Sequence, residues 1–80
     1  MNDAEILAHI QHLLDEEHTL LTEHEQGLPD AARHERLQQL QVSIDQDWDL
    51  LRQRRARRAT GANPDASHIR DETIVERYQQ

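Results

Sequence analysis

The stretch QGLPDAA, residues 26–32, decides the fold. It separates two segments of helical spacing and carries the signals that end one helix and begin another. Gly27 suits the left-handed position after a helix end, and Pro29 suits the first turn of the next helix, where its missing N–H is not needed. A connection this short makes the flanking helices antiparallel neighbours. The fold class is therefore all-α: a long antiparallel two-helix hairpin over residues 1–60, with helices at about 2–26 and 29–59.

Upstream, Ile6, Leu7, Ile10, Leu13, Leu14, Leu20 and Leu21 recur at helical spacing. Asn2 or Asp3 can cap this helix, and Asp3 and Glu5 suit the positive end of its dipole. The apolar positions form a wide stripe with two edges, Ile6–Leu13–Leu20 and Leu7–Leu14–Leu21. One neighbouring helix cannot cover both, which predicts that two hairpins pair into a dimeric four-helix bundle. Glu17 falls inside the stripe, with His24 on the same line. A register-fixing polar contact, through Gln41 or a second subunit, or simple access to water explains it better than catalysis does.

Downstream, the inward face of the second helix reads Leu37, Leu40, Ile44, Trp48, Leu51. Pairing about the turn sets Leu21 near Leu37, Leu14 near Ile44, Ile10 near Trp48 and Leu7 near Leu51. It also brings Asp3 and Glu5 level with Arg54, Arg55 and Arg58. Val42 and Leu50 point away, with Gln46 and Gln53 between them, as isolated exposed residues or a second contact strip. Residues 61–80 form a turn, GANPDAS, and a tail able to make a short helix over 71–78. Ile74, Val75 and Tyr78 would share one side of that helix. It could cover the outer strip, dock on a neighbouring subunit or stay mobile.

Composition limits the core to a small one. Of 80 residues 35% are apolar, there is no Phe, and Trp48 and Tyr78 are the only aromatics. A lone compact monomer of this kind buries little. The absence of cysteine excludes disulfides and thiolate metal sites. Met1 is followed by acids, which argues against a signal peptide. No run approaches the roughly 18 apolar residues of a membrane span, so the expectation is a cytoplasmic protein with no membrane contact.

Charge is uneven along the chain. Residues 1–51 carry twelve acids against two arginines, a balance of −10, whereas residues 52–58 hold five arginines. Phosphate contacts would be one use for Arg52, Arg54, Arg55, Arg57 and Arg58. The surrounding acids would repel a polyanion, and no aromatic lies between Trp48 and Tyr78 to stack on bases. Favourable placement at a helix C-terminus, opposite Asp3 and Glu5, explains more of the block. The nucleic-acid reading is thus the alternative, and Trp48 with these five arginines is read as a protein-contact region.

Candidate chemistry is sparse. His9, His12 and Glu16 share one helix face and are the weak candidates for a metal, making a small metal-binding helical bundle a further alternative. That face opposes the apolar stripe, and the Asp15-x-x-His18 step occurs once rather than in the pairs a di-iron bundle needs. Asp45, Asp47 and Asp49 diverge around their helix and read as a solvated, mutually repelling face rather than a paired-carboxylate site. With no nucleophile, glycine-rich loop or convergent acids, neither an enzyme nor a cofactor is expected.

The segments DEEHTLL (15–21), DQDWDLLRQRRARR (45–58), NPD (63–65) and IVERYQQ (74–80) resemble a small actinobacterial helical family of unknown function. The WDLLRQRRARR motif is its most specific part, and the resemblance covers nearly the whole chain. It implies an intracellular actinobacterial origin and a helical hairpin, and it supplies no activity or site residue. Taken together, the expectation is a non-enzymatic cytoplasmic interaction or scaffold protein, a homodimer with an unidentified protein partner.

Overall fold

The computed structural model describes residues 1–22 and 30–79. It consists of α1 (Asp3–Thr22), α2 (Asp30–Ala59), a short 3-10 turn (Pro64–Ala66) and α3 (Glu72–Gln79). The turn signals at Gly27 and Pro29, the His24 position and the Tyr78 side chain lie outside the described residues.

Local chemistry explains each boundary. Asn2 caps α1 through its side chain, which accepts from Glu5 N at 2.8 Å, while Glu5 Oε1 accepts from Asn2 N at 2.9 Å. This reciprocal pair satisfies two otherwise orphaned donors. Near the other end, Arg33 of α2 donates to the Leu20 carbonyl. α2 ends at Gly61, whose φ of 77° is open to glycine at little cost. Ala62 N then donates to Arg57 O at 2.8 Å and Gly61 N to Arg58 O at 3.2 Å, closing the last carbonyls of the helix. Asn63 caps the 3-10 turn by accepting from Asp65 N, and Asp71 caps α3 by accepting from Thr73 N.

α1 and the tail both run antiparallel to α2, on roughly opposite sides of it. The molecule measures 50 × 25 × 16 Å. Among the described residues α1 and α3 each pack on α2 and not on each other, so the helices lie side by side in one layer.

The core is correspondingly small. Ile6 and Ile10 pack with Leu50 and Leu51, and Leu13 packs with Leu40 and Ile44, with Leu20 against the second cluster. Val75 of α3 is fully buried, whereas Ile74 remains exposed. The tail therefore covers the outer strip of α2, one of the outcomes open at the sequence level.

Several expected contacts are corrected. Trp48 does not belong to the inward face: it is 37% exposed, while Asp47 and Arg54 are buried. The line facing α1 is Leu40, Ile44, Asp47, Leu51, Arg54, because polar partners for Asp47 and Arg54 wait on α1. Leu50 is buried against Ile6 and Ile10 rather than pointing away. Leu7 and Leu14, paired on paper with Leu51 and Ile44, are exposed. Leu37 is half-buried, as is Glu17, and Gln41 donates to Asp45 rather than to Glu17.

Leu51, only 1% exposed, is a direct probe of this core. Leu51→Ala should lower the unfolding free energy by about 3 kcal/mol in urea titration. Ile69→Ala, at a 49% exposed position, should change it by less than about 0.5 kcal/mol.

Candidate functional site

The arginine block divides into two sets. Arg54 is buried and bridges two segments, with Nε donating to Asp3 Oδ1 at 2.6 Å and a terminal nitrogen donating to Asp65 Oδ1 at 3.0 Å. Arg58 reaches the same Asp3 carboxylate, with contacts of 2.5 and 3.1 Å. The Arg58 and Arg54 guanidiniums pull the Asp3 carboxyl down to about 2. Arg54 is in turn held above its ordinary range by Asp3 and then Asp65. Two of the five arginines thus serve the fold, as the expected meeting with Asp3 requires. Glu5 is instead taken by the Asn2 cap.

Arg52 and Arg55 are exposed and Arg57 is half-buried. Among the described residues these three make no side-chain hydrogen bond or ion pair. They are the surplus charge of the block.

The expectation of a solvated acidic face at Asp45, Asp47 and Asp49 is corrected. The three do diverge, but two of them are buried. Asp47 turns to α1, where Nδ1 of His9 donates to its Oδ2. Asp49 turns the other way and binds Arg70 of the tail through both carboxylate oxygens, with Gln53 Nε2 donating at 2.9 Å. Arg70 foremost, then Gln53, lowers the Asp49 pKa against the opposing effect of burial. Gln53 and Gln46 also donate to the backbone carbonyls of His68 and Arg70, clasping the extended segment before α3. A sequence signal for Asp47 existed: it stands three residues after Ile44 and four before Leu51, at core spacing.

His9, His12 and Glu16 are not gathered into a common site. His9 is engaged by Asp47, and Glu16 forms a bidentate pair with Arg36, at 2.5 and 2.9 Å. Arg36 lowers the Glu16 pKa. Among the described residues no group of three or more His, Cys, Asp or Glu side chains is disposed to hold a metal. The hollow beside α3, lined by Glu35, Gln38, Gln39, Val42, Ser43 and Glu72, is open to solvent.

These pairs define the two sides of the α1–α2 seam. His9–Asp47 and Glu16–Arg36 close one side with polar contacts. On the other side lie Leu7 at 44% exposure, Leu14 at 37% and Leu21 at 55%, with Trp48 of α2 beside them. Leu7, Leu14 and Leu21 are seven residues apart, the repeat of a helix that packs along a seam. The second edge of the α1 stripe is therefore left open.

Over residues 2–80 the sequence matches the family described as "Protein of unknown function (DUF2630)". The chain belongs to that family. As a DUF2630 protein it is similar to uncharacterized protein Rv0898c of Mycobacterium tuberculosis and to uncharacterized protein Mb0922c of Mycobacterium bovis. Each is 40% identical over 77 residues, which cover 95% of this chain and 88% of the relative. No solved structure matches the chain. No described helix of this DUF2630 protein is long and apolar enough to cross a membrane.

Two predictions follow from the polar contacts. Asp3, with its carboxyl depressed from an ordinary 3.8 to about 2, contributes stability above pH 4 that is lost as pH falls towards 2. Glu16 and Asp49 are shifted in the same direction. Acid unfolding followed by circular dichroism should steepen in this window, and Asp3→Asn should flatten the slope. Asp49→Ala should free the tail. Amide exchange should speed up across 68–76 while Ile6, Leu13 and Leu51 keep their protection.

Proposed function

We propose that this protein is a non-enzymatic, cytoplasmic interaction protein that works as a helical homodimer. The supporting observation is the open face of Leu7, Leu14, Leu21 and Trp48 on a molecule one helix layer thick. Helices that expose an apolar stripe gain stability by burying it against a second layer. A row of leucines at seven-residue spacing suits another helix better than a small ligand. The dimer is a four-helix bundle flanked by the two tails. Arg52 and Arg57 are the residues available to an acidic protein partner, since Arg54 and Arg58 already hold Asp3 and Arg55 stands on the Trp48 row at the dimer face. The same division weakens the nucleic-acid alternative, because it leaves three arginines on a chain of net charge −7.

Sedimentation equilibrium tests the reading. The protein should sediment as a dimer at micromolar concentration, and Leu14→Glu should shift it to monomer while keeping its helical content. A folded wild-type monomer throughout the range would refute self-association. Pulldown with the dimer should capture a protein that is lost when Arg52 and Arg57 are changed together to Gln. A salt-sensitive shift of mixed DNA or RNA would instead favour nucleic acid.

A further inference from the structure

Resting on that reading, we infer that the second copy binds antiparallel, first helix against first helix, about a two-fold axis passing beside Leu14 and Gln41. The argument starts from register. His9 meets Asp47 across the seam, and the two helices rise equally in opposite directions. Leu14 is therefore level with Val42, one residue from Gln41.

Both helices present a row of seven-residue steps on the open side. On α1 it is Leu7, Leu14, Leu21. On α2 it is His34, Gln41, Trp48, all exposed. The two rows have their midpoints, Leu14 and Gln41, at the same height. A two-fold axis across the helices at that height maps each row onto itself. Leu7 then packs on Leu21 of the second copy, Leu14 on its own counterpart, and Trp48 beside His34 of the second copy.

The other closed arrangement has its axis along the helices and lays α1 of one copy over α2 of the other. It would set Leu7 on Trp48 but Leu14 on Gln41 and Leu21 on His34, matching two of the three leucines with polar groups. The antiparallel arrangement matches leucine with leucine instead.

Charge favours the same choice. One step beyond Trp48 on its row stands Arg55, and the described part of α2 begins at the opposite end with Asp30, both exposed. Antiparallel stacking brings Arg55 of each copy near Asp30 of the other. The axial alternative gathers Arg52 and Arg55 of both copies at one end, where they repel.

The area also suffices. The described face is about 30 Å long on α1, over Asp3–Thr22, and about 37 Å long on α2, from Asp30 to Arg55, each helix being about 10 Å wide. That gives about 700 Å² per copy, close to the roughly 800 Å² of a standard interface.

The chain contains no cysteine, so introduced ones report the arrangement directly. Under mild oxidation Leu14→Cys should cross-link efficiently with itself. Leu7→Cys and Leu21→Cys should cross-link poorly alone and well when mixed. Arg55→Asp should weaken the dimer roughly fivefold, and adding Asp30→Arg should restore it. Circular dichroism confirms that each variant is folded. A dimer in which Leu14→Cys instead cross-links with Gln41→Cys would overturn the antiparallel arrangement and leave self-association standing. A folded wild-type monomer would overturn both.

Discussion

The fold hangs on Arg54. Among the described residues its guanidinium is the one cation that touches both the start of α1, through Asp3, and the turn after α2, through Asp65. Burying an arginine is unfavourable unless its donors are met by acceptors of opposite charge. Here two carboxylates meet them, and the geometry of both determines where the chain can go before and after α2. Arg58 strengthens the clasp by sharing Asp3, and the Asn2–Glu5 cap presents Asp3 on the first turn of α1, in reach of both cations. The register of the hairpin is thereby locked at its open end, far from the connection. Once that register is set, His9 falls opposite Asp47 and Glu16 within reach of Arg36.

Polar contacts carry so much of the specification because apolar side chains are scarce. Among the described residues eight apolar side chains are buried, in two small clusters and at Val75. Hydrophobic burial sets little register by itself, since a leucine row can slide one turn and still meet leucines. Ion pairs cannot slide in this way without leaving a buried charge unpaired, which is strongly destabilising. Asp47 and Asp49 extend the logic to both sides of α2. One binds α1 and the other binds the tail, so two neighbouring positions of one helix hold the layer together from opposite directions.

Much of this was legible in the sequence. Apolar periodicity marked both long helices, the GANPDAS composition marked the turn after the second, and the tail allowed a short helix among other outcomes. Pairing about the turn set Asp3 and Glu5 level with Arg54, Arg55 and Arg58, and of these Asp3 meets Arg54 and Arg58. What the sequence obscured was rotation about the α2 axis. Trp48 looked like a core residue because it is large, aromatic and four residues from Ile44. Asp47 looked like a surface residue because it is charged. The helix turns the other way, since His9 offers Asp47 a partner while nothing on α1 offers Trp48 a cavity. Arg70 was similarly hidden: its role depends on a tail folding back beside Asp49, a contact 21 residues away in the chain.

Rotating Trp48 outward also changes the meaning of the charge reversal in residues 45–58. The acids of that stretch are structural at Asp47 and Asp49, and the basic half is structural at Arg54 and Arg58. What remains on the open side of α2 is Trp48 followed at four and seven residues by Arg52 and Arg55. An exposed indole and two arginines beside a leucine row combine residue types enriched at contact surfaces, where planar aromatic and guanidinium groups bind with little loss of side-chain freedom. A solvated helix end would need only the charge. The apolar neighbours are the reason for proposing that the surplus arginines belong to a contact surface.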